Sequence, residues 1–263
     1  MKRIVIFPDW QVPLHDEHVI KTVARFVWDY QPDALGHVGD ATDSTEIGRW
    51  TRGLRGEFTG GLEGGFAKTR ELFSYIRRGF DGPFHLMRSN HEDRLENAIE
   101  SRLPGLAGIT VGGKLLNIQN ALQLDDLGIT WHEQPYEIAP GVMLQHGDEG
   151  GLSQIPGNTA LQLAVGVKGQ RKSVVCGHTH RAGLAYLNGM GDDSIFGMEV
   201  GHMMDIRGAE YLGKARANNW GTAFGILRVH EGNKKKVRVY PELVPVELDG
   251  SFVVEGQRYG GGK

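Results

Sequence analysis

The chain has 263 residues, a net charge of −3 and a single cysteine, Cys176. This balance argues against a strongly basic nucleic-acid-binding domain, and the lone cysteine excludes an internal disulfide and any Cys-based zinc cluster. No apolar run approaches the ~20 residues that cross a bilayer, and no apolar leader follows the N-terminus, so a cytoplasmic protein without a membrane partner is expected.

The chain opens with an unbroken apolar run, "IVIF" at residues 4–7, as suits a strand covered on both faces. It ends in "DWQ", where Asp9 and Gln11 stand two residues apart. "DEHVIKTVARFVWDY" follows, with Val19, Val23, Phe26, Val27 and Tyr30 at helical spacing, and then "ALGHVGD", a second strand ending in Asp40. A glycine-rich arm at 51–65 carries Arg52 and Arg55 and is expected to be flexible. Next comes a helix in "FAKTRELFSYIRRG", with Phe66, Leu72, Phe73 and Ile76 on its apolar side, and a third strand in "PFHLMRSNHEDR". Successive crossover units predict a parallel sheet with ligands bound beyond the strand C-termini.

The second half reads as short strands divided by turn residues, among them "VMLQHGD", "SVVCGHTH", "SIFGMEVGHM", "TAFGILRVHEG" and "KKVRVYPEL". One helix, "LSQIPGNTALQLAVGV", interrupts them. "NKKK" at 233–236 reads as a hairpin tip, and the tail from 256 to 263 as flexible. The pattern predicts a single α/β domain over 1–263, in which two sheets form a sandwich flanked by helices.

Polar residues recur just past the apolar runs: Asp9 and Gln11, Asp40 and Asp43, Asn90 and His91, His146 and Asp148, His178 and His180. Strand ends on one sheet edge converge, so these side chains make a candidate cluster of nitrogen and oxygen donors without sulfur, suited to Mn, Fe, Zn, Mg or Ni. Singly, an Asp or Asn after a strand is as readily a turn former or helix cap. The other histidines (His15, His18, His37, His85, His132, His202 and His230) read as surface or satisfied structural groups.

The ordered set D-x-Q, "GDATD", "SNHE", "HGD" and "GHTH" resembles the five-motif signature of the calcineurin-like metallophosphoesterases, from Asp9 to His180. Gln11 stands where the family usually has His, and Ser89 where it usually has Gly. The forms "DWQVPLHD", "NHEDRLE" and "EVGHMMD" are similar to members carried by bacteriophages and bacteria, which implies the host cytoplasm as the setting.

The resemblance implies a calcineurin-like αββα sandwich of two mixed sheets and a hydrolase with two divalent metal ions, Mn²⁺ favoured. One metal would take Asp9, Gln11, Asp40 and His180, and the other Asp40, Asn90, His146 and His178. His91 would be the catalytic proton donor, oriented by Asp43, with Arg88 and Arg94 as candidate substrate contacts. The implied reaction is hydrolysis of phosphate esters, preferably phosphodiesters of nucleotides or nucleic acid. The alternatives are a phosphomonoesterase, a protein phosphatase, or a scaffold whose catalysis has weakened. A dinucleotide-binding reading fails because no G-x-G-x-x-G follows the first strand.

Overall fold

The computed structural model describes residues 1–48, 61–166, 171–189, 194–206, 219–232 and 237–261. Much of the glycine-rich arm, including Arg52 and Arg55, lies outside these residues, as does the tip at 233–236.

The strands in chain order are β1 (Lys2–Phe7), β2 (Ala34–His37), β3 (Phe84–Met87), β4 (Thr110–Val111), β5 (Lys114–Leu115), β6 (Ile129–His132), β7 (Tyr136–Ala139) and β8 (Val142–Leu144). They continue with β9 (Ser173–Cys176), β10 (Ala182–Leu187), β11 (Ile195–Val200), β12 (Ala223–Glu231), β13 (Val237–Pro245), β14 (Phe252–Val254) and β15 (Gln257–Tyr259). The helices are α1 (Glu17–Tyr30), α2 (Leu62–Arg77), α3 (Arg94–Arg102), the single turn α4 (Ile118–Ala121) and α5 (Asn158–Gly166).

Two mixed sheets result. The first runs β13-β12-β1-β2-β3-β6, with β1, β2, β3 and β6 parallel as the crossover pattern predicts and β12 antiparallel to β1. The second runs β10-β11-β9-β8-β7, with a parallel centre and antiparallel edges.

β1 shows why the layers stack. Its side chains alternate between faces, so Ile4 and Ile6 enter the core between the sheets while Val5 and Phe7 enter the core under α1 and α2. A third apolar layer joins Ala160 and Ala164 of α5 to Val174 and Cys176 of β9. Three apolar layers separate four structural ones, giving helices, sheet, sheet and helix. This is the αββα sandwich implied by the sequence resemblance.

Two local expectations change. α2 begins at Leu62, four residues before the predicted Phe66, so residues 62–65 belong to a helix. The tail predicted to be flexible from 256 pairs instead, since β15 forms an antiparallel hairpin with β14. Its two-residue turn, Glu255 and Gly256, has φ of 53° and 79°, the positive values that primed hairpin turns require. Tyr259 then stacks on Phe252 and meets Phe26 edge-on at 4.9 Å, which ties the hairpin to α1.

Candidate metal centre

Five strands of both sheets end at one rim. β1 leads to Asp9 and Gln11, β2 to Asp40 and Asp43, β3 to Asn90 and His91, β8 to His146, and β9 to His178 and His180. Extended chains must reverse here, and four of the polar residues do so in the left-handed region, with φ of 55° at Gln11, 53° at Asp40, 64° at His178 and 56° at His180. Non-glycine residues rarely adopt such values, and strain of this kind concentrates at functional sites. The turn after β1 is anchored from below by Trp10, fully buried against Phe7, His37 and Phe73.

The donors form two overlapping sets, Asp40 with His146 and His178, and Asp9 with Asp40 and His180; within each, the ligand atoms all lie within 4.8 Å of one another. His146 Nε2 is 3.3 Å from Asp40 Oδ1, 2.9 Å from Asn90 Oδ1 and 3.2 Å from His178 Nδ1. His180 Nε2 lies 3.2 Å from Asp9 Oδ2. His146 Nδ1 is 3.0 Å from the Val38 carbonyl and donates to it, so the tautomer leaves Nε2 as a lone pair aimed into the cluster.

Gln11 also reaches the cluster. Its Nε2 donates to Asp40 Oδ2 at 2.5 Å, and its Oε1 is buried without a hydrogen-bond partner. A half-turn of the amide exchanges the two atoms, so the same position can present an oxygen donor.

The electrostatics fit a cation. Burial and the adjacent charge of Asp40 raise the Asp9 carboxyl well above the usual carboxylate range. Burial opposes ionisation of Asp40 too, but His146, His91 and His178 draw it below that range. Burial lowers His178 and His180 to about 4, so both rings are neutral, as metal ligation needs. Asp9 Oδ1 and His180 Nδ1 are buried with no hydrogen-bond partner. Two buried like-charged carboxylates, neutral imidazoles and unsatisfied acceptors suit divalent cations.

A second layer holds the donors. Ser89 Oγ donates to Asp40 Oδ1 at 2.5 Å and also contacts Glu92 Oε2. Glu92, fully buried, accepts from the backbone N–H groups of Asp40 at 2.8 Å and Thr42 at 3.1 Å, clamping the turn after β2. His91 lies 3.8 Å from Asp40 Oδ2, and its Nδ1 is 3.1 Å from Asp43 Oδ1. Arg94 meets the Asp43 carbonyl at 2.5 Å and His91 Nε2 at 3.0 Å. Arg88 is placed differently, bound by Asp148 at 3.0 Å and paired with Asp93.

Sequence reasoning passed over three neighbours. Glu92 was visible only as the last letter of "SNHE". His202, buried and read as structural, faces His180 at 5.8 Å between ring centroids, and its backbone bridges Asp9. Trp220 meets the same His180 ring edge-on at 4.3 Å. The signal for His202 was its position two residues past the end of β11, another strand end.

Fold and site together define an α/β sandwich protein with a rim cluster of nitrogen and oxygen donors suited to divalent metals. In sequence it is similar to the Gene 54 protein of Mycobacterium phage D29, 36% identical over 264 residues and covering 97% of each chain. It is also similar to the Gene 54 protein of Mycobacterium phage L5, 33% identical over 262 residues, covering 97% of this chain and 98% of the relative. The chain belongs to this family of phage Gene 54 proteins. No family model matches it.

Among solved structures, it is similar to Vps29 of Entamoeba histolytica complexed with zinc, with 12% identity, 97% of this chain and 95% of the other covered, and a TM-score of 0.44. Vacuolar Protein Sorting 29 of Cryptosporidium parvum is similar at 11% identity over 93% of this chain and 98% of the other, with a TM-score of 0.42.

Proposed function

We propose that the protein is a metal-dependent phosphoesterase that hydrolyses phosphodiesters of nucleotides or nucleic acid with water as nucleophile, and that it acts in the host cytoplasm. The observation that carries this reading is the pair of donor sets sharing Asp40. Asp9, Gln11, Asp40 and His180 would hold one divalent ion and Asp40, Asn90, His146 and His178 the other, with Mn²⁺ favoured. When bound, two such ions activate a water near neutral pH and offset phosphate charge.

The chain's own groups supply the rest. Burial alone would lower the His91 pKa, but the charge of Asp40 and the hydrogen bond of Asp43 raise it to about 9. His91 thus holds a proton for the leaving oxygen, and Asp43 fixes its ring. Because Nδ1 faces Asp43 at 3.1 Å, the proton to be donated sits on Nε2, and Arg94, 3.0 Å from Nε2, opposes that charge and must draw back from the protonated ring. Arg88 is engaged by two carboxylates, which leaves no arginine pair dedicated to a dianionic monoester among the described residues and favours the diester.

The test compares turnover of bis-p-nitrophenyl phosphate and p-nitrophenyl phosphate with added Mn²⁺, alongside Asp40→Asn and His146→Ala. Faster diester turnover that both variants abolish is expected. Inertness toward both esters while calorimetry shows Mn²⁺ bound would establish a non-catalytic scaffold instead.

A further inference from the structure

β8 serves two places at once. Leu144 enters the core between the sheets, whereas Met143 packs toward the layer under α5, and Gln145, two residues on, falls on the same side as Met143. There both line a cavity of about 470 Å³, bounded also by Pro135 and by Thr159 and Leu163 of α5. His146 follows on the opposite side and turns into the metal centre, and none of the donor residues lines the cavity. The volume lies in the range of small-molecule pockets.

The polar groups inside it are unfinished. Gln145 is 5% exposed, and its backbone N–H donates to the Val175 carbonyl at 3.1 Å, but its side-chain amide has no partner among the described residues. Thr159, also buried, accepts through Oγ1 from the Ser153 N–H at 3.1 Å, and its own hydroxyl hydrogen meets no acceptor among the described residues. Buried polar groups in folded proteins are almost always paired, so this amide and hydroxyl are placed for an occupant.

The walls state what kind of occupant. Pro135, Met143 and Leu163 give apolar surface suited to a ring. At the rim, Lys172 is already engaged by Glu137 at 2.7 Å, whereas Glu149 is exposed and has no hydrogen-bond or ion-pair partner among the described residues. An anionic ligand would meet a free acid and a spent base, so the occupant is uncharged. Gln145 offers an acceptor and a donor side by side, and Thr159 a further donor. A pyrimidine base answers all three: with the amide in one orientation the carbonyl, N–H and carbonyl of uracil match, and with the amide turned over, the amino group, ring nitrogen and carbonyl of cytosine match.

We propose that this cavity is a binding site for an uncharged pyrimidine nucleoside, with the base against Gln145 and Thr159 and the sugar at the rim. It is distinct from the rim cluster and stands whether or not that cluster hydrolyses phosphate esters.

The test is calorimetric titration of the Mn²⁺-loaded protein with uridine, cytidine, 3-methyluridine and N4,N4-dimethylcytidine, the last two having the base edge blocked by methyl groups. Uridine or cytidine should bind, and its blocked form about tenfold more weakly. Gln145→Met, close in shape but without the amide, should weaken the same nucleoside about tenfold. Leu163→Trp, which fills the cavity from α5, should abolish binding. Unaltered melting temperature and Mn²⁺ titration identify variants that keep the fold and the metal centre; if Gln145→Met unfolds, Leu163→Trp and the blocked nucleosides carry the test. Failure of both pyrimidine nucleosides to bind overturns the proposal, as does equal binding of the blocked forms or of guanosine. Nucleoside binding that survives in both variants overturns it too, because it places the ligand outside this cavity.

Discussion

At the scale of single residues the centre is a set of groups held against their own stability. Asp9 carries the largest burden, because burial and Asp40 raise its pKa well above that of the unfolded chain. A raised folded-state value means that the metal-free fold favours protonated Asp9, so this residue's contribution is full at low pH and is lost as pH rises toward its folded pKa. Asp9→Asn should therefore stabilise the metal-free protein at neutral pH by about 1 kcal/mol, as relief of a strained functional group commonly does, while Mn²⁺ raises the melting temperature by less than in the unaltered protein, since the set of Asp40, His146 and His178 keeps its ligands. Melting curves in EDTA and in Mn²⁺ check both halves; a lower melting temperature in EDTA would show that Asp9 is structurally needed. Gln11 poses a different question, since its amide is a harder donor than an imidazole and leaves the charge of the site unchanged. Gln11→His should shift bound metal and activity toward Zn²⁺, measured as metal content and turnover after equal loading with Zn²⁺ and Mn²⁺. Equal dependence on the two metals in both proteins would defeat the assignment of Gln11 as a ligand.

At the scale of elements, the turns past the strands aim the donors and glycines let them approach. A Cβ on Gly177, just past β9, would stand 2.1 Å from Asp9 Oδ1 and 2.5 Å from Val38 Cγ2, so the turn after β9 can lie against the turn after β1 only with hydrogen there. Gly177→Ala should cost roughly 1–3 kcal/mol, as overpacking does, and should displace Asp9; thermal unfolding and Mn²⁺ titration read the two effects. Gly197 has the same role under α5, where a Cβ would sit 2.1 Å from the Leu161 nitrogen. Much of this was legible in the sequence. Apolar runs ending in Asp, Asn or His placed Asp9, Asp40, Asn90, His146, His178 and His180 at strand ends, and the parallel pairing of β1, β2 and β3 follows from the crossover pattern. Less legible were features set by tertiary contact. The β14–β15 hairpin looked like a glycine-rich tail because its anchor is one ring, Tyr259, against α1 and β14. His202 looked structural because its strand-end position alone does not reveal the His180 ring it faces, and Arg88 looked free because the second of its acidic partners, Asp148, lies 60 residues away.

At the scale of the whole molecule, the donors come from strand ends of both sheets, so a cation bound at the rim links the two halves of the sandwich. No described helix is long and apolar enough to cross a membrane, and stability rests on the three apolar layers together with whatever ligation adds. Because the donor cluster exists only in the folded chain, ligand binding adds to stability by mass action, about 2.7 kcal/mol when free metal is a hundredfold above its Kd, or about 2–4 °C per kcal/mol for a chain of this size. The increment must depend on pH, and its direction follows from His178 and His180. Burial lowers both to about 4, beneath the ordinary histidine value of 6.5. Between those values the unfolded chain binds more protons than the fold, so these two rings add stability as pH rises through the window and lose it as pH falls toward 4. Protons and metal compete for the same lone pairs. The difference in melting temperature between Mn²⁺ and EDTA should accordingly shrink as pH falls, because the metal must also displace the proton that the metal-free fold keeps on Asp9, and vanish near pH 4. In Asp40→Asn, which lacks the carboxylate common to both donor sets, the difference should be absent at every pH. A metal-dependent increment that persists in that variant would mean that the ion stabilising the fold sits somewhere other than the rim.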